Sequence, residues 1–236
     1  MKWSTFTASC LAASPLIEAH YIFSKLHVNG KQVGSDFTYV RKNSNSYQPT
    51  FPTSLNSPNM RCNSGASQGG ATQTYTVAAG SKVGFSLWSA GKKIEHPGPA
   101  FIWMSKAPGN ASTYDGSGDW FKIFEAGVCG SNPHNDGDWC TWYKPMIEAT
   151  IPLSTPPGDY LVRPEQIGLH QAQDGKAQFY MECAQIRVTG TGGGKPGPTV
   201  KIPGYLTASS PAITYNKWKA SPGAYHLPPP AVWTGQ

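Results

Sequence analysis

Short runs in which apolar side chains recur at every second position constrain this chain more than any other feature. In "KVGFSLWS" (82–89), Val83, Phe85 and Leu87 fall on one side, and "AFIWMSK" (100–106), "WFKIFEAG" (120–127) and "IEATIPLS" (147–154) have the same character. A period of two belongs to a strand with one face turned inward, and turn residues separate each run from the next. No helical period lasts beyond a couple of turns. Two later strands, "GDYLVRPEQIGLH" and "AQFYMECAQIRVTG", are joined around Asp174-Gly175. Charged residues make up only 14 % of the chain while it holds 26 Gly and 21 Pro, which favours strands and ordered loops over helices. The prediction is an all-β sandwich with long loops.

Residues 35–75 are rich in Asn, Ser, Pro and Gly and predict one long ordered loop. The stretch "TGTGGGKPGP" (189–198) has the composition of a linker, but no cysteine follows it, which excludes a small disulfide-knotted binding module. The tail is therefore expected to wrap the same domain, spanning 20–236, and no internal repeat interrupts it. The net charge of +6 is scattered, with Arg41-Lys42 and Lys92-Lys93 the densest pairs. Without a basic run to grip phosphates, it reads as solubility, and no nucleic-acid partner is expected.

Residues 1–19 have the makings of a secretory leader: Lys2 is followed by the apolar "FTASCLAASPLI", and Ala19 precedes the expected cut. Cleavage after Ala13 is the rival. The stretch is too short and too interrupted for a membrane span, so the protein is expected outside the cell and off the membrane. Cleavage removes Cys10 and leaves Cys62, Cys129, Cys140 and Cys183, for which three pairings exist. A short clip, Cys129–Cys140, with a long one, Cys62–Cys183, is favoured; the long one stabilises by ~4–5 kcal/mol in the chain-entropy model. Asn110-Ala-Ser112 is a glycosylation acceptor.

Histidines carry the candidate chemistry. Cleavage after Ala19 makes His20 offer an imidazole and a free α-amine, whose reference pKa of ~8 against ~10.4 for Lys lets it yield its proton to a metal. His96 precedes the stiff Pro97-Gly98-Pro99 turn, which would hold its ring in one direction. In the last strand Gln178 and Tyr180 share a face with Ala184, Ile186 and Val188, and polar groups at the end of a buried stripe require partners. A two-residue turn at Asp174-Gly175 would point His170 away from them, whereas a longer loop or a bulge would bring all three together. His27 and His134 read as ordinary strand or surface residues. No GxSxG, HExxH or carboxylate pair supports hydrolysis.

Taken in order, the His20 start, "HPGPAFIWMSKAP", "LHQAQDGKAQFYMECAQIRVTG" and "IPGYL…SPGAYHLPPPAVW" resemble the fungal lytic polysaccharide monooxygenases of auxiliary activity family 9 from His20 to about Trp233. The resemblance implies an immunoglobulin-like or fibronectin-III-like sandwich, with a flat face that lies on polysaccharide. It implies one copper ion held by the amine and ring of His20 and the ring of His96, with Tyr180 as a distant axial oxygen. His170 and Gln178 would hydrogen-bond the oxygen species, and Tyr225, with Tyr21 as a weaker candidate, would contact substrate. His226 would either join that surface or be solvated. Three nitrogens in a T suit Cu(II) and tolerate Cu(I). The implied reaction is oxidative cleavage of cellulose or a related β-linked plant polysaccharide, with an external electron donor and dioxygen or hydrogen peroxide, by a monomer. Cys62–Cys183 matches a bridge typical of the family. Pro164 stands where relatives often carry histidine, which leaves Arg163 and Glu165 without an assigned role, and "CGSNPHNDGDWC" is an unusual loop. A non-catalytic copper- or carbohydrate-binding sandwich and a zinc hydrolase are the alternatives.

Overall fold

The computed structural model describes residues 20–88 and 91–236; the leader expected over residues 1–19 lies outside the described residues. Eleven strands in the described residues form two sheets. The smaller contains β1 (Phe23–Val28), β2 (Lys31–Val33), β4 (Lys82–Leu87) and β7 (Met146–Thr150), in the order β2-β1-β4-β7. The larger contains β3 (Tyr75–Ala78), β5 (Ala100–Lys106), β6 (Trp120–Ala126), β8 (Gly158–Gly168), β10 (Ala184–Thr189) and β11 (Thr199–Val200), in the order β11-β6-β5-β8-β10-β3. One more strand, β9 (Gln178–Met181), also pairs with β8. The pairing is antiparallel throughout except between β10 and β3. The all-β sandwich expected from the alternating runs is what forms.

The inner faces pack as the period of two requires. Val83, Phe85 and Leu87 of β4 meet Ile102 and Met104 of β5, Val162 of β8, and Ile186 and Val188 of β10 in one core. Unlike the smaller sheet, the larger is buried on both faces. A second core of Phe101, Trp103, Trp120, Leu161, Phe179 and Met181 is covered by Leu55, Met60, Ile202, Leu206 and Ile213 from the long loop and the tail. This second cover explains why β5 and β8 are buried almost continuously instead of alternating.

Between β2 and β3 the chain forms no strand, only two short 3₁₀ turns and isolated bridges at Val40 and Thr50. That matches the expected ordered loop. Arg41 organises it from inside. Its guanidinium donates to the carbonyls of Ala66, Ser67, Ala111 and Tyr114 and to Gln185. It is 1 % exposed, so its charge serves packing and not solubility, which corrects the surface-charge reading for Arg41, while Lys42 beside it is exposed. Both favoured disulfides, Cys62–Cys183 and Cys129–Cys140, are formed. The tail returns to the sandwich: Trp233 enters the inner core, and Val232 bridges Lys122 of β6. Arg163 and Glu165 form a buried ion pair, completed by Trp103, Tyr205 and the carbonyls of Met60 and Arg61, which gives them a structural place. No helix among the described residues is long and apolar enough to cross a membrane.

Candidate active site

Three parts of the fold converge at one end of the sandwich. His20 leads into β1, whose entry is fixed by Glu182 accepting from the Phe23 N–H at 3.1 Å and by the Ile22 carbonyl accepting from Trp88 at 3.0 Å. His96 stands on the Pro97-Gly98-Pro99 turn. That turn is laced to the end of β8 by Leu169 N–H donating to Pro97 O (2.8 Å) and Ile167 N–H to Pro99 O (3.0 Å). Gly98 lies so close to β8 that a Cβ there would meet the Ile167 carbonyl oxygen at 1.9 Å, and its φ of +152° also favours glycine. The third part is β9, which carries Gln178 and Tyr180.

Aromatic rings stack where these parts meet. The His96 ring lies 4.5 Å from His170 and 5.3 Å from Tyr180, close to parallel with both. His20 sits across from them, its ring centroid 5.8 Å from that of His96 and 6.2 Å from that of Tyr180. The connection between β8 and β9 decides where His170 goes. Gly168 pairs with Gln178, so residues 169–177 form a long loop with a 3₁₀ turn at Ala172–Asp174, not a two-residue turn. His170 therefore stacks on His96, on which Tyr180 also stacks, so the longer connection brings it into the same cluster as Tyr180 and its partner Gln178.

The hydrogen bonds specify what each group is free to do. The Tyr180 hydroxyl donates to Gln178 Oε1 at 2.6 Å, and burial pushes the phenol well above its ordinary range. The Gln178 amide nitrogen lies 3.5 Å from Gln171 Oε1, a marginal contact that leaves its donors largely available. His96 is buried, which together with the neighbouring His170 and His20 lowers it to about 3 and keeps the ring neutral. Burial likewise lowers His170. His96 Nε2 and His170 Nδ1 are buried atoms without a hydrogen-bond partner in the protein. Buried polar atoms ordinarily find partners, so an imidazole nitrogen left without one can accept a metal or exchange a proton.

The donor set fits copper on one condition. Among the described residues no three His, Cys, Asp or Glu side chains gather to hold an ion, so His20 and His96 need a third donor. In the uncut chain the nitrogen of His20 is a peptide amide with no lone pair to give; as a free amine it supplies that donor. Two imidazoles, an amine and a neutral phenol make a nitrogen-rich set of the kind Cu(II) prefers.

One sequence assignment looks different in three dimensions. Tyr21 is 2 % exposed, its ring stacked on Tyr180 at 4.3 Å, so it is a core residue and not a surface contact for substrate. Its hydroxyl donates to Gln166 Oε1 at 2.5 Å, while Gln166 Nε2 donates to the His96 carbonyl at 2.9 Å. One buried amide thus ties the neighbour of His20 to His96. Nothing local in "PEQIGLH" pointed to it, since its partners are 145 and 70 positions away. Tyr225 is half-buried against Trp139 and Tyr215, with its hydroxyl donating to the Ala212 carbonyl, and His226 is exposed. His27 bonds Ser86, and His134 contacts the Lys217 carbonyl, both apart from the ring cluster. Asn110 is exposed at the start of a 3₁₀ turn.

Comparison with known proteins places this arrangement. The model of Auxiliary Activity family 9 (formerly GH61) matches residues 20–225. The chain is 51 % identical to AA9 family lytic polysaccharide monooxygenase G of Aspergillus tamarii, over 96 % of this chain and 70 % of that relative. It is 46 % identical to monooxygenase A of the same family from Aspergillus fumigatus, over 100 % of this chain and 83 % of that relative. Among solved structures, a cellulose-active polysaccharide monooxygenase from M. thermophila superposes with a TM-score of 0.78 at 31 % identity, covering 92 % of this chain and all of that one. The chain therefore belongs to Auxiliary Activity family 9 and is an oxidoreductase of the copper-dependent polysaccharide monooxygenase kind.

Proposed function

We propose that the mature protein starts at His20, is secreted, and would hold one copper ion through the amine and imidazole of His20 and the imidazole of His96, with the hydroxyl oxygen of Tyr180 as a further donor. The reading is supported above all by one observation: the rings of His20, His96, His170 and Tyr180, from three parts of the chain, come together with Gln178 bonded to Tyr180, and His96 Nε2 is buried with no protein group to satisfy it. Copper, when bound, supplies one-electron chemistry toward dioxygen or hydrogen peroxide with electrons from an external donor. The surrounding side chains determine what reaches it. Tyr180 donates a hydrogen bond to Gln178 and keeps its proton, so it offers a neutral oxygen rather than a phenolate. Gln178 directs its amide N–H groups toward the incoming oxygen reactant, and His170 gives or takes a proton at Nδ1.

The substrate is cellulose or a related β-linked plant polysaccharide, met on a surface instead of inside a pocket. A cavity of ≈ 710 Å³ exists beside the Cys129–Cys140 bridge, but no residue of the ring cluster lines it. Tyr225 contributes to that surface, and Asn110, exposed beyond β5, accepts a glycan. The test uses the secreted protein loaded with copper and supplied with amorphous cellulose and ascorbate. Oxidised oligosaccharides are expected by mass spectrometry. His96→Ala is expected to lose copper affinity by calorimetry, while Gln178→Ala keeps copper and slows oxidation. Copper-replete protein that releases no oxidised sugar from any β-linked glucan would sink the reading.

A further inference from the structure

The 129–140 loop and the tail meet at Trp218, and their contacts end on His170. Trp218 is 48 % exposed, unusual for an indole. It is nevertheless fastened on two sides. Its Nε1–H donates to the His170 carbonyl at 2.8 Å, and the Lys217 ammonium lies 3.7 Å from the ring centroid. Lys217 is itself completely buried, its Nζ donating to the His134 carbonyl and to Asp136 Oδ1, each at 2.7 Å. His134 packs edge-on against the indole with ring centroids 5.8 Å apart, and its Nδ1 contacts the Lys217 carbonyl. The loop that carries His134 and Asp136 is closed by Cys129–Cys140. It is braced further by Asp138 accepting from the Asn132 N–H and by Trp139 Nε1–H donating to the Pro133 carbonyl.

A buried cation is costly unless it is paired, and here the 129–140 loop supplies the partners of Lys217. The Lys217 ammonium lies over the ring and the N–H edge is bonded to His170, while about half of the side chain, including part of an aromatic face, stays open to solvent. We infer that this face is a stacking platform for one sugar ring of a β-linked polysaccharide, and that the 129–140 loop is the foundation that holds the platform, and through it His170, in place. The inference rests on the polysaccharide-acting reading and adds a contact and a positioning path to it. A rigid aromatic plane loses little freedom on binding, and the apolar C–H face of a pyranose matches its surface. Trp218 is a positioning residue for His170 because the contact is to the backbone carbonyl, away from the ring.

The experiment separates the two roles in copper-loaded protein without reductant, so that no turnover occurs. Depletion isotherms on amorphous cellulose are expected to weaken about fivefold to tenfold for Trp218→Ala, the loss typical of a truncated aromatic anchor. Trp218→Phe keeps a ring and loses the N–H. It is expected to bind within about twofold of the parent, by the same reasoning, while hydrogen exchange in residues 169–177 speeds up. Lys217→Met is expected to accelerate exchange in both 129–140 and 169–177. Unchanged binding by Trp218→Ala overturns the platform, and unchanged exchange in Trp218→Phe overturns the tether. Should Trp218→Ala misfold, the platform is judged instead by solvent quenching of indole fluorescence, parent minus Trp218→Phe, with and without a soluble cello-oligosaccharide. Loss of the Trp218 contribution on addition of sugar supports the platform, and its persistence overturns it. Parent protein that binds cellulose normally in either overturning case leaves the polysaccharide reading standing; parent protein that binds none removes both.

Discussion

Single side chains show how far burial redirects chemistry in this molecule. Burial opposes ionisation of Asp159, but the hydrogen bonds and charge of Arg187, with the N–H of Ala111, outweigh it and hold the carboxyl below its ordinary 3.8. An acid whose folded pKa is depressed contributes stability that is present above the unfolded value, and that contribution fades as pH falls through the folded one. Asp159→Asn is therefore expected to lower Tm at pH 7 by a few degrees, modestly because Arg187 is half-exposed and screened. The gap to the parent should close as pH falls below the ordinary carboxyl range and through the depressed folded value, and calorimetry at several pH values checks this; a gap that does not shrink in acid contradicts the assignment. Legibility at this scale was uneven. His20, His96 and Tyr180 stood out through position and motif. Tyr21 misled, because a phenol beside a terminal histidine reads as surface while its real partner, Gln166, lies far along the chain. Trp218 gave no signal of its own, since its support comes from a loop more than eighty positions earlier.

Elements were readable where one face met one core. Val83, Phe85 and Leu87 alternate because the other side of β4 is not packed in the same way, and the sequence shows that contrast. In β8 both sides are covered, so the pattern blurs, and Pro164 is out of place in a central strand until its neighbours are taken into account. It falls in the gap where β9 ends and β10 has not begun, the kind of interruption that tolerates a missing N–H. The His96 turn tests how tightly elements are fitted. Gly98→Ala brings a methyl onto the Ile167 carbonyl and is expected to cost at least about 1–3 kcal/mol from strain alone. Denaturant unfolding reads that cost. Copper affinity should fall with it, since the turn can relieve the clash only by moving away from β8. Normal affinity in a destabilised variant would show that His96 is held by something other than the turn.

For the whole molecule, two sheets and an outer layer of loops must be kept together by long connections. Cys62–Cys183 closes a separation of 121 residues and pins the long loop to the start of β10, whereas Cys129–Cys140 closes one of 11. Loop-closure entropy puts the first at about 5 kcal/mol and the second at about 3. Replacing both partners of the long bridge with serine is expected to reduce unfolding free energy by about 2 kcal/mol more than the same change in the short one. Urea titrations measure the difference, and equal losses would show that strain or residual unfolded structure dominates. The sandwich itself was legible from alternating runs and turn residues. The second core was not, because its cover comes from segments with no period at all.

The amide of Gln166 carries one more consequence, for anyone who would build such a centre elsewhere. By joining Tyr21 to the His96 backbone it makes the two halves of the site a single mechanical unit. Grafting two histidines onto a foreign scaffold would transfer the ligands without the crossbar that keeps their spacing, and a successful transplant has to carry the phenol and the amide as well.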